Sequence, residues 1–239
     1  MRTMLAGRLV VHATGGTDRD GGGDGPTVVL CHGFGAPGDD LVSLARVIDV
    51  APHTRWFFPE APHAIDVGMG MVGRAWWHID MMKLQMALAR GEIRDLASET
   101  PDGLDAAADA LTSCLDSLVN DHGVDPARMV LGGFSQGAML TTELTLCRGA
   151  AHAGLAVLSG TLLSEARWRA GAAERARGLA VFQSHGRYDP ILPYPGAEEL
   201  RDMLTASGAD VSFVPFSGQH EIPPPALDGL QRFARARLA

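Results

Sequence analysis

The chain has 239 residues, of which 46% are hydrophobic, and 28 acidic against 20 basic residues give a formal net charge of -8. This size and apolar content suit one α/β domain with a sizeable core. The acidic balance and the scattered arginines, which form no basic stripe, argue against nucleic acid as a partner. The chain lacks both an apolar stretch of about 18 residues and a signal-peptide core, so we expect a soluble, cytoplasmic protein without an integral membrane segment.

Strand-like apolar runs alternate with helical patterns along the chain. The strand-like runs are 8–13, 27–32, 54–59, 128–134, 154–160, 179–186 and 211–216. Helical spacing predicts helices over 39–48, from a cap at Thr100 to Leu118, from 138 until Gly149, and over 195–208. Such alternation predicts parallel strands joined by crossover helices, and the apolar inner strands indicate that both sheet faces are covered. The predicted class is α/β, with a doubly wound, mostly parallel sheet.

Two segments depart from this pattern. The glycine-rich segment 15–25 lacks the strand-to-helix setting of a nucleotide loop and is predicted to be a hairpin connection. The segment 61–99 holds a tryptophan pair, Trp76 and Trp77, beside a cluster of five methionines, which are Met69, Met71, Met81, Met82 and Met86. Methionine fills irregular core space, but it also lines flexible walls for apolar ligands. The sequence alone leaves both interpretations of the methionine cluster open.

Three cysteines, Cys31, Cys114 and Cys147, form no disulfide framework. Two of them fall at apolar positions of predicted helices, so buried and reduced thiols are the expectation, which agrees with a cytoplasmic location. Cys31 stands directly before the His32-Gly33 turn, where we expect it to serve packing.

The most informative motif is Gly133-Phe134-Ser135-Gln136-Gly137, which lies between a predicted strand and a predicted helix. A serine at such a sharp turn exposes its hydroxyl, and the first amides of the following helix point at whatever the hydroxyl attacks. The flanking glycines let strand and helix pass close to the turn. This arrangement predicts a nucleophile elbow with Ser135 as the nucleophile.

A nucleophilic serine needs a histidine base and a carboxylate that orients it, and in folds of this kind they follow the serine in the order acid, then histidine. Asp189 stands in a turn after the strand 179–186, and His220 follows the strand 211–216. Both positions lie at carboxyl ends of strands, where open parallel sheets carry their sites. His152 precedes a strand and is expected at the opposite edge. We therefore predict a triad of Ser135, Asp189 and His220.

The negative charge that develops on the substrate oxygen needs hydrogen-bond donors. Gln136 offers its backbone amide at the start of the helix, and the amide of Phe34 is the second candidate, in the His32-Gly33-Phe34-Gly35 loop after a strand. His32 is expected to be a structural residue of this loop. The chain carries no HExxH, CxxC or Walker motif, so neither a metal nor a cofactor is predicted.

These residues and their surroundings resemble the small carboxylesterases, lysophospholipases and acyl-protein thioesterases of the α/β-hydrolase superfamily. The resemblance covers nearly the whole chain and runs through the motifs CHGFGAPGDD (31–40), FPEAP (58–62), GRAWWHID (73–80), LGGFSQGA (131–138), SHGRYDPILP (184–193) and SGQHEI (217–222). In one departure, Gln219 stands where the family usually has glycine before its histidine base.

The resemblance implies one α/β-hydrolase domain over residues 1–239, with no separate large cap domain. The segment 61–99 would form a variable, lid-like loop over the site, and Met69, Met71, Trp76 and Trp77 are candidates to bind the substrate. The implied activity is cofactor-free hydrolysis of carboxylic ester or thioester bonds through Ser135, Asp189 and His220, with the amides of Phe34 and Gln136 as oxyanion hole.

Three functional hypotheses follow. The first is a serine esterase acting on small or medium acyl substrates. The second is a lysophospholipase or acyl-protein thioesterase, with the methionine-rich segment lining a channel for long acyl chains. The third is a non-catalytic ligand-binding member of the fold, against which the complete triad argues. The expected partner is a small-molecule or lipid-like acyl ester, and a homodimer is left open.

Overall fold

A computed structural model describes residues 1–68, 70–82, 86, 89–90 and 96–239. The strands in this part of the chain are β1 (Arg2–Ala6), β2 (Leu9–Gly16), β3 (Asp20–Gly22), β4 (Thr27–Cys31), β5 (Arg55–Pro59), β6 (His63–Asp66), β7 (Val72–Ala75), β8 (Met129–Phe134), β9 (Gly154–Leu158), β10 (Ala180–Gly186) and β11 (Asp210–Phe216). The α-helices are α1 (Leu44–Val47), α2 (Leu104–Asn120), α3 (Gln136–Glu143), α4 (Glu165–Arg175), α5 (Tyr194–Ala206) and α6 (Pro224–Leu238).

The main sheet has the strand order β1-β2-β5-β4-β8-β9-β10-β11. The strands from β5 to β11 in this order run parallel, while β2 is antiparallel to both of its neighbours in the order. The short hairpin of β6 and β7 stands apart as a second sheet. Parallel strands need crossover connections, which the helices provide. The predicted α/β class with a mostly parallel sheet is confirmed.

The sheet separates two apolar layers. One layer packs α2, α3, α4 and α5 against one face, and it includes Leu111, Leu140 and Trp168. The other layer places α1 and α6 on the opposite face, with Leu44 and Leu230 among its buried residues. Since both faces are covered, strands such as β4, β9 and β10 are buried along their whole length.

All seven predicted strands are present, whereas β1, β3, β6 and β7 were not predicted. These additional strands are short and partly exposed, so they carry little continuous apolar signal. The prediction of a hairpin at 15–25 was wrong. In this segment β3 pairs in parallel with the end of β2. The antiparallel partners of β2 are β1 and β5.

Two helix predictions need correction. The helix from a cap at Thr100 begins instead at Leu104 after Gly103, and the Thr100 hydroxyl lies 2.8 Å from the Ser164 hydroxyl. The helix over 39–48 is a 3₁₀ turn, 40–43, followed by the single turn of α1. The predicted stop at Gly149 is confirmed, since α3 continues as a π-helical turn over 144–148 and Gly149 takes a left-handed φ of 67°.

None of the described helices is long and apolar enough to cross a membrane.

A buried carboxylate joins three helices on one face of the sheet. Glu143, at the end of α3, is fully buried, accepts a 2.7 Å hydrogen bond from the indole of Trp168 on α4, and forms an ion pair with Arg167. Arg167 also bonds Asp105 on α2 at 2.7 Å. Glu143 therefore keeps its counterion only while α3 and α4 stay packed together, and Asp105 ties the same arginine to α2.

We expect Arg167→Ala to lower the free energy of unfolding by about 3 kcal/mol, because it leaves a buried carboxylate without its counterion. The figure is at the low end for a buried pair, since Arg167 is about a third exposed and water replaces part of the contact. Arg169→Ala, on the same helix, removes only the exposed pair with Glu165 and should cost about 0.5 kcal/mol or less. Urea unfolding measures both, and equal losses in the two variants would contradict the role of Glu143.

A half-buried histidine, His152, makes stability depend on pH. Burial lowers the pKa of His152, which bonds the Thr145 hydroxyl at 2.8 Å, to about 4. The unfolded chain binds this proton near pH 6.5 whereas the folded chain does not, so the folded state loses stability as pH falls from 6.5 to 4.

Comparison with His152→Gln should isolate this effect. Between pH 7 and pH 4, the wild-type protein should lose on the order of 3 kcal/mol more unfolding free energy than the variant, because its folded state takes up the proton only near pH 4. Urea unfolding at several pH values gives both curves. Parallel curves for the two proteins would show that His152 does not exclude a proton on folding.

Candidate active site

Ser135 stands at a strained turn between β8 and α3. Its backbone has φ 55° and ψ -118°, in the left-handed region that side chains rarely adopt. The turn is tight because Gly133 and Gly137 face each other, and a Cβ at Gly137 would collide with the carbonyl oxygens of Cys31 and His32. The Ser135 amide donates to the Leu158 carbonyl at 2.9 Å, which anchors the turn to β9. This is the backbone geometry that the sequence predicts for a nucleophile elbow, and Ser135 is almost buried at 9% exposure.

Asp189 and His220 meet at the same edge of the sheet. β10 and β11 run parallel and in register as far as Gly186 and Phe216, so the loops that follow them leave the sheet side by side. His220 Nδ1 donates to Asp189 Oδ2 at 2.6 Å. Since a carboxylate only accepts, the proton lies on Nδ1 and leaves Nε2 of the neutral ring free to accept one. This is the orientation that a general base requires.

The carboxyl group of Asp189 is held in its ionised form. Burial raises its pKa, but the hydrogen bond from His220 and the amides of Leu192 and Ile191, at 2.9 and 2.8 Å, outweigh burial and leave the pKa below its ordinary value. Asp189 is therefore a carboxylate at neutral pH and can stabilise a positive charge on His220.

The residue before His220 does not disturb the imidazole. Gln219 has an exposed side chain, its backbone avoids the left-handed region, and its amide donates to the Glu221 carboxylate at 3.1 Å. The His220 ring packs against Phe134, with ring centres 4.8 Å apart. The position of Gln219 thus has no conformational need for the glycine that is usual in the family.

A cavity of about 430 Å³ opens over these groups. Ser135, His220, Phe34 and Gln136 contribute to its lining. The remaining lining residues are largely apolar: Trp77, His78, Ile79, Asp80, Met81, Leu96, Glu99, Pro101, Asp102, Met139, Leu163, Ile191 and Leu192. The cavity therefore joins the serine and histidine to a pocket with predominantly apolar walls.

The two candidate oxyanion donors lie on facing loops of this cavity. Gln136 is the first residue of α3, where an amide has no acceptor within its own helix. In the loop after β4, the amides of Gly35 and Ala36 donate to Arg74 and Gly33, and within the described chain no backbone acceptor takes the amide of Phe34. Both donors are thus available to a negatively charged oxygen.

A hydrogen-bond network fixes these two loops, and sequence reasoning missed it. The Gln136 side chain accepts from the Trp76 amide and donates to the Trp77 carbonyl, both at 2.9 Å. The Trp76 indole donates to the His32 carbonyl at 3.0 Å, and His32 itself bonds the Gly33 carbonyl and the Ala61 amide. The two hydrogen bonds of the Gln136 side chain join residues about 60 positions apart, for which the sequence carries no signal.

Of the three candidate substrate-binding residues that the structure describes, only Trp77 lines the cavity. Trp76 is fully buried in the core, where its indole supports the His32 loop by donating a hydrogen bond to the His32 carbonyl. Met71 lies on the β6–β7 hairpin with 57% of its surface exposed and does not line the cavity. Met69 lies outside the described residues. Among the other clustered methionines, Met81 lines the cavity, whereas Met82 and Met86 are exposed.

The thiols and the ionisable clusters offer no second chemistry in the described residues. The three cysteines are unpaired, and burial raises the pKa of Cys31, which makes its thiol unreactive. No group of three or more histidine, cysteine, aspartate or glutamate side chains in the described ranges is arranged to hold a metal ion.

Comparisons with known proteins agree with this geometry. The chain is 31% identical over 172 residues to acyl-protein thioesterase 1 of Kluyveromyces lactis, covering 70% of each chain. It is 27% identical over 220 residues to acyl-protein thioesterase 1 of Gibberella zeae, covering 89% of this chain and 90% of the relative. The crystal structure of esterase PE8 superposes with a TM-score of 0.78 at 26% identity, over 96% of this chain and 99% of that one.

The family model described as phospholipase/carboxylesterase matches residues 21–238, which is nearly the whole chain. With the elbow, the bonded Asp189–His220 pair and the shared cavity on one sheet edge, the chain belongs to the phospholipase/carboxylesterase family of α/β-hydrolases.

Proposed function

We propose that this protein is a serine hydrolase that cleaves carboxylic ester bonds, and thioester bonds, through an acyl-enzyme formed on Ser135. One observation carries the proposal: the Asp189–His220 hydrogen bond of 2.6 Å orients His220 beside the cavity into which Ser135 also faces. Family membership and the names of the relatives support the same chemistry.

In the first half-reaction, His220 Nε2 takes the proton of the Ser135 hydroxyl as Oγ attacks the substrate carbonyl carbon. Asp189 stabilises the imidazolium, and the amides of Phe34 and Gln136 hold the oxyanion. The tetrahedral intermediate then collapses. The bond to the leaving oxygen or sulfur breaks, and His220 returns the proton to that atom, which leaves the acyl group on Ser135.

In the second half-reaction, water takes the place of the departed alcohol or thiol. His220 removes a proton from the water as its oxygen attacks the acyl carbon, and the same two amides hold the oxyanion. Ser135 leaves with the proton from His220, and the carboxylic acid departs. The cycle needs no redox partner, because the carbonyl carbon exchanges its bond to the leaving oxygen or sulfur for a bond to oxygen. The proton lost from Ser135 or from water passes through His220 to the leaving atom.

The apolar cavity is the proposed binding site for the acyl group. Its volume of about 430 Å³ lies within the about 300–1,000 Å³ typical of small-molecule sites, and a small acyl group such as acetyl would fill little of it. Trp77, Ile79, Met81 and Leu96 line it and belong to the segment 61–99, which supports a lid-like role for that segment. We propose medium-length acyl chains as the preferred substrates.

A thioester substrate is favoured by one specific observation. Two relatives at 31% and 27% identity are named acyl-protein thioesterases. A thioester and an ester with the same acyl chain present the same carbonyl to Ser135, so their relative kcat/KM reports the preference for the leaving group. The sequence-based expectations of a lipid-like substrate, a cytoplasmic location, one domain and a homodimer stay predictions.

Ser135→Ala should lower kcat for p-nitrophenyl butyrate by a factor on the order of 10⁴ or more, because the acyl-enzyme cannot form. Ser184→Ala is the matched control: the hydroxyl of this buried serine on β10 makes no hydrogen bond to the described chain, and the residue does not line the cavity. It should keep its activity and its labelling by a fluorophosphonate. Wild-type activity in Ser135→Ala would refute the proposed function.

Ile79→Trp should lower the kcat/KM ratio of p-nitrophenyl octanoate over butyrate by about tenfold or more, because the larger ring occupies space that the longer chain needs. Ile79 is only partly buried, so the added volume has room to be accommodated. Ile65→Trp, on β6 and outside the cavity lining, serves as control and should leave the ratio unchanged. Equal ratios in the two variants would place the acyl group elsewhere.

A further inference from the structure

A second imidazole, which is buried, lies beside the acid of the site, and the mechanism does not use it. His185 is the last side chain of β10 before Gly186 and is completely buried. It stands four residues before Asp189, so the loop that carries the acid starts from it. A fully buried, ionisable ring next to a carboxylate requires a physical reason.

The hydrogen bonds of His185 define its proton position. Nε2 lies 2.7 Å from the carbonyl oxygen of Leu192 and 3.4 Å from Asp189 Oδ2. Both partners only accept, so Nε2 carries a proton. Burial, with the nearby His220, lowers the pKa of His185 more than the backbone of Leu192, the carboxylate of Asp189 and the backbone of Gly160 raise it, so the ring is neutral at physiological pH. Nδ1 has no hydrogen-bond partner in the described chain, and the single N–H is at Nε2.

Leu192 is held at both of its backbone ends. Its amide donates to Asp189 Oδ1 at 2.9 Å, while its carbonyl accepts from His185 at 2.7 Å. The loop from Asp189 to Leu192 is therefore held by two hydrogen bonds, one from the Leu192 amide to the Asp189 carboxylate and one from His185 to the Leu192 carbonyl. With Oδ1 held by the amides of Ile191 and Leu192, Oδ2 is directed at His220.

The ionisable groups around His185 place it in the same network. Asp189 lies in the following loop, and His220 follows β11. Tyr194, at the start of α5, has its ring centre 6.2 Å from that of His185, and the Arg187 guanidinium lies over the Tyr194 ring at 5.0 Å. Of these groups, Asp189 is within 3.4 Å of the ring nitrogen.

We propose that His185 is a positioning residue for the triad: its Nε2–H pins the Leu192 carbonyl and thereby keeps Asp189 Oδ2 aligned with His220. The inference rests on the proposed function of Ser135, Asp189 and His220.

The test compares His185→Leu, which removes the donor, with His185→Gln, whose side-chain amide can place an N–H near the position of Nε2. Loss of alignment by even about 1 Å can cost about 100-fold in rate. We expect kcat for p-nitrophenyl butyrate to fall about 10-fold to 100-fold in the Leu variant, with KM nearly unchanged. The Gln variant should recover most of the loss.

The pH profile separates positioning from mere support of the fold. A base that loses its carboxylate partner is protonated at lower pH. The acid limb of log kcat/KM should therefore move to lower pH in His185→Leu and return toward the wild-type position in His185→Gln. Urea unfolding of both variants shows that folded proteins are being compared.

Two results would overturn the inference: a folded Leu variant with wild-type kcat and pH profile, or a Gln variant as impaired as the Leu variant. If the Leu variant does not fold, His185→Asn replaces it, since its shorter amide does not reach the Leu192 carbonyl. Labelling of wild-type Ser135 by a fluorophosphonate distinguishes failure of the role of His185 from failure of the proposed function. A labelled, active wild type with unaffected variants refutes only the role of His185, whereas an unlabelled wild type refutes the proposed function.

Discussion

The site depends on the parallel order of β8, β9, β10 and β11, because parallel neighbours end at the same edge of a sheet. Ser135 follows β8, while the loops after β10 and β11 deliver Asp189 and His220. The in-register pairing of β10 with β11 brings those two loops together, and the 2.6 Å hydrogen bond follows from it. Separation of these strands would disperse groups that lie up to 85 positions apart in the chain.

The sheet edge places the groups, and local bonds orient them. Asp189 is held through one oxygen by the amides of its own loop, so its other oxygen remains for His220. Ser135 is held in a left-handed backbone by the anchor to Leu158 and by glycines that allow close approach. Gln136 supplies an amide through its backbone and braces the opposite loop through its side chain. The energetic cost of the strained turn is thus offset by bonds that converge on it.

Sequence reasoning succeeded where chemistry and periodicity are local. The strands around the site are apolar runs with short turns, so their limits are visible in the sequence, and the elbow is contiguous from Gly133 to Gly137. It failed where a partner is distant. Thr100 has the chemistry of a helix cap, but its hydroxyl bonds Ser164 instead. Trp76 and Trp77 are the same residue type and adjacent, yet Trp76 is buried in the core and Trp77 lines the cavity.

By itself, the sequence determined the fold class and the candidate triad, since strand periodicity and the order serine, aspartate, histidine depend on residues near each other or on the order of strands. Only the tertiary structure decided which side chains meet. It joined Gln136 to Trp76, turned Met71 to the surface, and buried His185 against the loop of Asp189. The physical reason is that these contacts arise from the packing of loops on the sheet edge, which no periodicity or motif in the chain encodes.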